Sequence, residues 1–135
     1  MNALFVDTSG WVACADAADP AHQSAVEARD KWLEGGGLLL TTDYILDETL
    51  TLLRLRLSLN AAEVWWSQIE ASSRLRWEYI GPDRAAVARG IFFRHRDKAF
   101  SFTDCTSFAV MRELKLREAL SVDRHFRQMG FSVKP

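Results

Sequence analysis

Short apolar runs alternate with longer amphipathic stretches along this chain. Ala3-Leu4-Phe5-Val6 is apolar without a period of two, the pattern of a strand covered on both faces, and it stops on Asp7. A helix is predicted from Ser9 to about Ala18. Asp19-Pro20, a good cap followed by a good first helical residue, opens another helix that runs to about Glu34. Gly35-Gly36-Gly37 lacks the lysine-serine or GxGxxG pattern of a phosphate loop and is expected to turn the chain into a second buried strand, Leu38 to Thr42. From Asp43 to about Leu59 the periodicity is strongly helical. Leu46, Leu50, Leu53 and Leu57 form a core stripe, and Ile45, Leu52 and Leu55 form a second one that includes Glu48. Asp47 falls instead on the polar face of Thr51, Arg54 and Ser58.

The second half repeats the alternation. Asn60 is the expected N-cap of a helix to about Ser72, and Leu75 to Ile80 alternates like a half-exposed or edge strand. Pro82 starts a helix to about Arg96. Ser101-Phe102-Thr103-Asp104 has capping-box spacing ahead of a helix to Lys115. Ala119 to Val122 is a further short strand ending on an acid, Asp123, and a helical turn leads to a last strand at Phe131 to Val133. Strand and helix alternate throughout without repeats, which predicts one α/β domain over residues 1–135 with a short, mainly parallel sheet flanked by helices.

Composition narrows the partners. The 135-residue chain carries a net charge of −1, so nothing global attracts a nucleic acid, which would be met by a local patch or through metal ions. Cys14 and Cys105 have no metal or CxxC spacing and read as small buried residues in a reducing compartment. No basic-then-apolar leader and no run of ~18 apolar residues is present, so a cytoplasmic protein is expected. Five tryptophans is a high count, and Trp65-Trp66 point ~100° apart on their helix. They pack either as core plus edge or beside an apolar partner surface.

The acids carry the chemistry. In a parallel sheet, strand carboxyl ends and the helix starts that follow share one rim. Asp7 and Asp123 end strands, Asp104 begins a helix, and Glu48 faces inward from the helix after the second strand. An acid inside an apolar stripe needs a partner, either an arginine or a metal ion. Four crowded carboxylates repel one another unless cations neutralise them, and hard oxygen ligands suit Mg²⁺ or Mn²⁺. His22, His95 and His125 are scattered and read as solvated or structural. Asp7 is followed by Thr8-Ser9 where a dehalogenase-like phosphatase needs Asp-x-Asp, and a receiver domain's early acidic pair and late lysine are missing.

Val6-Asp7-Thr8-Ser9, Glu48 in a leucine-rich helix, Phe102-Thr103-Asp104-Cys105 and Ser121-Val122-Asp123-Arg124-His125-Phe126, with Gly130-Phe131 behind it, occur in this order across the chain. Together they resemble a PIN domain, and in particular the VapC toxins of bacterial and archaeal type II toxin–antitoxin modules. The resemblance implies a Mg²⁺- or Mn²⁺-dependent endoribonuclease with Asp7, Glu48, Asp104 and Asp123 as its acidic quartet. Asp7 and Asp104 would be the principal metal ligands, supported by Thr8, Ser9 and Thr103. An activated water would attack phosphorus in line and leave a 5′-phosphate and a 3′-hydroxyl. Arg94, Arg96, Lys98, Arg124 and Arg127 would supply a positive rim for RNA. The implied partners are a VapB-like antitoxin and a second copy of the chain. The rival expectations are a non-catalytic RNA-binding module of the same fold and a PIN nuclease of RNA maturation.

Overall fold

The computed structural model describes residues 1–135. Five strands form one sheet: β1 (Ala3–Val6), β2 (Leu38–Thr42), β3 (Leu75–Glu78), β4 (Glu118–Leu120) and β5 (Ser132–Lys134). Their order is β3-β2-β1-β4-β5 and every neighbouring pair is parallel. Seven helices surround them: α1 (Thr8–Ala15), α2 (His22–Glu34), α3 (Asp43–Arg56), α4 (Leu59–Ala71), α5 (Pro82–Arg94), α6 (Phe102–Glu113) and α7 (His125–Gln128). The α/β class and the parallel sheet therefore agree with the sequence reading. Strand β1 is central and all four of its residues are buried, which explains its unbroken apolar run.

The chain builds outward from β1 through β2 to β3, then returns to lay β4 and β5 on the other side. Strand order thus reverses between β1 and β4, and the crevice beyond their carboxyl ends is the natural ligand site of an open parallel sheet. Gly10 brings the two sides together. A Cβ at this position would collide with the carbonyl oxygen of Leu120, so only glycine lets the start of α1 lie directly against the end of β4.

Aromatic contacts fill the core on both flanks. Phe108 meets Phe126 edge-on at 5.0 Å and Phe100 at 5.0 Å on the β4 side. On the β2 side Trp11, Trp65, Trp66 and Trp77 form a chain of ring contacts, with centroids 5.8, 6.3 and 5.4 Å apart. Trp65 is buried and Trp66 half-buried, which is the core-plus-edge arrangement. Both cysteines are free thiols.

Three local expectations are corrected. Helix α4 is capped by Ser58, whose Oγ accepts the Ala61 amide at 3.0 Å, and Asn60 lies inside the helix. Both residues are good caps, and the end of α3 at Arg56 decides between them by leaving Ser58 extended. On α3 the core takes Ile45, Leu46, Thr49 and Leu53, while Leu57 and Leu55 are 44% and 75% exposed. Glu48 is exposed as well, so it is not held against apolar neighbours. Past Ile45 the second leucine stripe runs out of the core, with Leu52 half-buried at the cleft and Leu55 in solvent.

Candidate active site

The crevice at the strand ends is a cleft of about 460 Å³ whose walls include Asp7, Thr8, Ser9, Glu48, Thr103, Asp104, Asp123 and His125. Each acid arrives there for a local reason. Asp7 leaves β1 in an extended conformation and caps α1, its Oδ1 accepting the Gly10 amide at 2.8 Å. Ser9 Oγ donates to the same oxygen at 2.8 Å, and Ser121 Oγ donates to Oδ2 at 2.7 Å. Asp7 is only 3% exposed. Burial pushes its carboxyl up to about 7, with the Asp123 charge adding to the rise and Ser121, Gly10 and Ser9 opposing it.

Asp104 is the third residue of α6 and completes a capping box. Ser101 Oγ accepts the Asp104 amide at 3.0 Å, and Asp104 Oδ2 accepts the Ser101 amide at 3.0 Å. The same oxygen receives Nδ1 of His125 at 2.9 Å. Burial raises the Asp104 carboxyl above its ordinary value, the Ser101 amide opposes that, Asp123 adds to it, and His125 opposes it. Asp123 follows β4, and its Oδ1 accepts the His125 amide at 2.9 Å.

The ligand atoms of Asp104, Asp123 and His125 lie within 4.8 Å of one another. Asp7 stands outside that tight cluster but lines the same cleft, where the charge of Asp123 acts on both Asp7 and Asp104. Glu48 reaches the cleft only as part of its open wall, beside Ile45 and Leu52 on α3. The donor set is mostly hard oxygen with one imidazole nitrogen, which fits a divalent cation such as Mg²⁺ or Mn²⁺. Thr8 strengthens that fit. Its Oγ1 is buried at the cleft without a hydrogen-bond partner, and a buried hydroxyl left so is costly unless a ligand or bound water meets it.

The PIN domain family model matches residues 4–132. The 23S rRNA-specific endonuclease VapC20 of Mycobacterium tuberculosis is 36% identical over 98% of this chain and 98% of its own. This chain belongs to the PIN-domain family, among the VapC ribonucleases. A VapC ribonuclease from Archaeoglobus fulgidus is 34% identical over 92% of this chain and 79% of its own. The crystal structure of the M. tuberculosis VapC20, described as a sarcin–ricin loop cleaving toxin, superposes with a TM-score of 0.88 at 34% identity, covering 98% of this chain and 99% of that one. FitAcB from Neisseria gonorrhoeae shares the fold alone, with a TM-score of 0.70 at 16% identity and coverage of 98% and 96%.

Within this VapC fold the sequence reading places some residues well and misses others. Asp7, Asp104 and Asp123 converge, and Thr8, Ser9 and Thr103 line the same cleft. His125, read from sequence as solvated or structural, faces Asp104 inside the cluster. Ser121, to which the motif assigns no role, holds Asp7. Arg94, Arg96, Lys98, Arg124 and Arg127 do not line the cleft; all but the half-buried Lys98 are exposed, and Lys98 pairs with Asp97 at 2.5 Å. Asp19, expected from the sequence only as a helix cap, and Arg56, a helix-end arginine with no motif around it, line the same cleft.

Proposed function

We propose that this VapC-family protein is the endoribonuclease toxin of a VapBC-type pair, and that Asp7, Asp104 and Asp123 hold Mg²⁺ or Mn²⁺ in the cleft. The observation that carries the reading is the Asp104–Asp123–His125 cluster in a cleft that Asp7 and the unpartnered buried hydroxyl of Thr8 also line. The ion, when bound, would lower the pKa of a coordinated water and stabilise charge on the leaving oxygen. Asp7 and Asp104 would ligate it through oxygens already oriented by Ser9, Ser121, Ser101 and His125. Glu48 stands at the mouth, free to take a proton from the attacking water. Hydrolysis of this kind leaves a 5′-phosphate.

The relatives' named targets make 23S rRNA and its sarcin–ricin loop the first substrates to offer. No helix is long and apolar enough to cross a membrane. The RNA substrate and the two free thiols support a cytoplasmic setting. Two apolar surfaces support an antitoxin and a second copy of the chain as partners. One is a groove of about 550 Å³ lined by Trp11, Leu33, Leu53, Val64 and Ile69, and the other is the carboxyl end of α5, where the adjacent rings of Phe92 and Phe93 are exposed.

Purified protein is incubated with a sarcin–ricin loop hairpin and with total RNA, in Mg²⁺, in Mn²⁺ and in EDTA. Cleavage that needs metal, yields 5′-phosphate ends and disappears in Asp104→Asn is expected. RNA binding with no cleavage of either substrate in either metal would establish the non-catalytic reading instead.

A further inference from the structure

The cleft presents a charge problem for the substrate just assigned to it. Its walls carry Asp7, Asp19, Glu48, Asp104 and Asp123, and apart from His125 the one basic side chain among them is Arg56. Arg56 is the last residue of α3, and its side chain is 52% exposed. Other arginines are committed to the fold: Arg84 donates to Glu78, to Glu113 and to the Tyr79 carbonyl, and Arg74 donates to the Leu33 and Gly37 carbonyls. Arg56 has instead one loose ion pair, Nη1 standing 3.9 Å from Asp19 Oδ2, beyond hydrogen-bond range. Asp19 itself is fixed, because its Oδ1 accepts the Ala21 amide at 2.9 Å in the turn before α2. A planar fork of N–H donors is thus suspended over an acidic cleft with none of its hydrogen bonds spent.

Resting on the ribonuclease reading, the geometry points to Arg56 as the residue that binds a backbone phosphate of the RNA beside the scissile one, with Asp19 holding the guanidinium in place until substrate takes it. A guanidinium matches phosphate bidentately, whereas its pair with Asp19 is 3.9 Å long and the arginine side chain is half-exposed, so the contact is weak and the exchange favours substrate. The contact is to backbone and carries no sequence preference. It supplies the fixed positive charge that the exposed arginines outside the cleft do not bring to the reacting phosphate.

The test measures binding of a fluorescein-labelled sarcin–ricin loop hairpin by anisotropy in Mg²⁺, using the full chain with Asp7→Asn to suppress cleavage. Adding Arg56→Ala is expected to weaken binding ~10-fold at low salt and to flatten the slope of log K against log salt by about 0.7–0.9. Arg56→Lys should keep the slope and lose part of the affinity. Asp19→Asn should leave binding unchanged or tighten it. In single-turnover cleavage by the otherwise wild-type protein, Arg56→Ala should raise the half-saturating RNA concentration ~10-fold and change the maximal rate little. Unchanged affinity and slope in Arg56→Ala, with wild-type cleavage intact, would overturn this assignment and leave the ribonuclease reading standing. Equal losses in Arg56→Ala and Asp19→Asn would also overturn it, marking the pair as structural. A wild-type protein that neither binds nor cleaves RNA would remove both readings together.

Discussion

The two walls of the cleft are built differently. On the β1–β4–α6 wall, every carboxylate is tied down: Asp7 by three donors, Asp104 by the Ser101 amide and His125, Asp123 by the His125 amide. On the α3 wall, Glu48 is exposed without a partner and Arg56 holds only a long ion pair. The first wall accepts the cost of burying carboxylates and fixes their oxygens where the proposed cation would sit. The second keeps its charges in water, where they adapt to a substrate. Substitutions should therefore act on stability and chemistry together on the first wall, and on chemistry alone on the second.

The sharpest break comes from Asp104→Asn. It leaves the capping acceptor in place but removes a carboxylate of the proposed metal site, so cleavage should fall on the order of 10³-fold in an RNA assay while the fold persists. Asp7 gives the clearest stability signal. Burial raises its folded carboxyl to about 7 from the 3.8 of an ordinary aspartate, so between those values the folded metal-free protein binds more protons than the unfolded chain. Stability of the EDTA-treated protein should therefore fall as pH rises from about 4 to about 7, then level off. Asp7→Asn should remove most of that slope, leaving the smaller share of Asp104, and stabilise the metal-free protein at pH 8 by roughly 1–4 kcal/mol, read from urea unfolding, while abolishing cleavage.

Gly10→Ala tests how the first wall is assembled. The added methyl meets the Leu120 carbonyl, so α1 and β4 must part, at ~1–3 kcal/mol in thermal unfolding and with loss of activity as Asp7 separates from Ser121. Ser121→Ala is milder. It removes one hydrogen bond to a buried carboxyl, costing ~1 kcal/mol and ~10- to 100-fold in metal affinity by calorimetry. Glu48→Gln should be the smallest structurally. Its unfolding midpoint should match wild type within ~0.5 kcal/mol, while cleavage falls by no more than ~10²-fold. A large loss of stability there would erase the distinction between the walls.

Much of the first wall was legible in the chain because its positions are set locally. Asp7 and Asp123 end apolar runs, and Asp104 sits at capping-box spacing from Ser101, signals that span a handful of residues. Glu48 lies on the helix and cleft-facing side that the periodicity predicts, but it is exposed rather than buried. Periodicity shows which residues share a stripe and not which stripe another element covers. Helix α3 has two apolar stripes, and packing chose one.

The sequence by itself determined the alternation of strands and helices, the parallel class, the family and three acids at strand ends and a helix start, since each depends on short-range pattern and capping chemistry. Only the tertiary structure decided that Ser121 holds Asp7 across 114 residues, that His125 meets Asp104 across 21, and that Arg56 overhangs the same cleft. The physical reason is that these partners share no local backbone. They meet because the sheet reverses its strand order between β1 and β4, with a glycine at position 10 letting the two sides close.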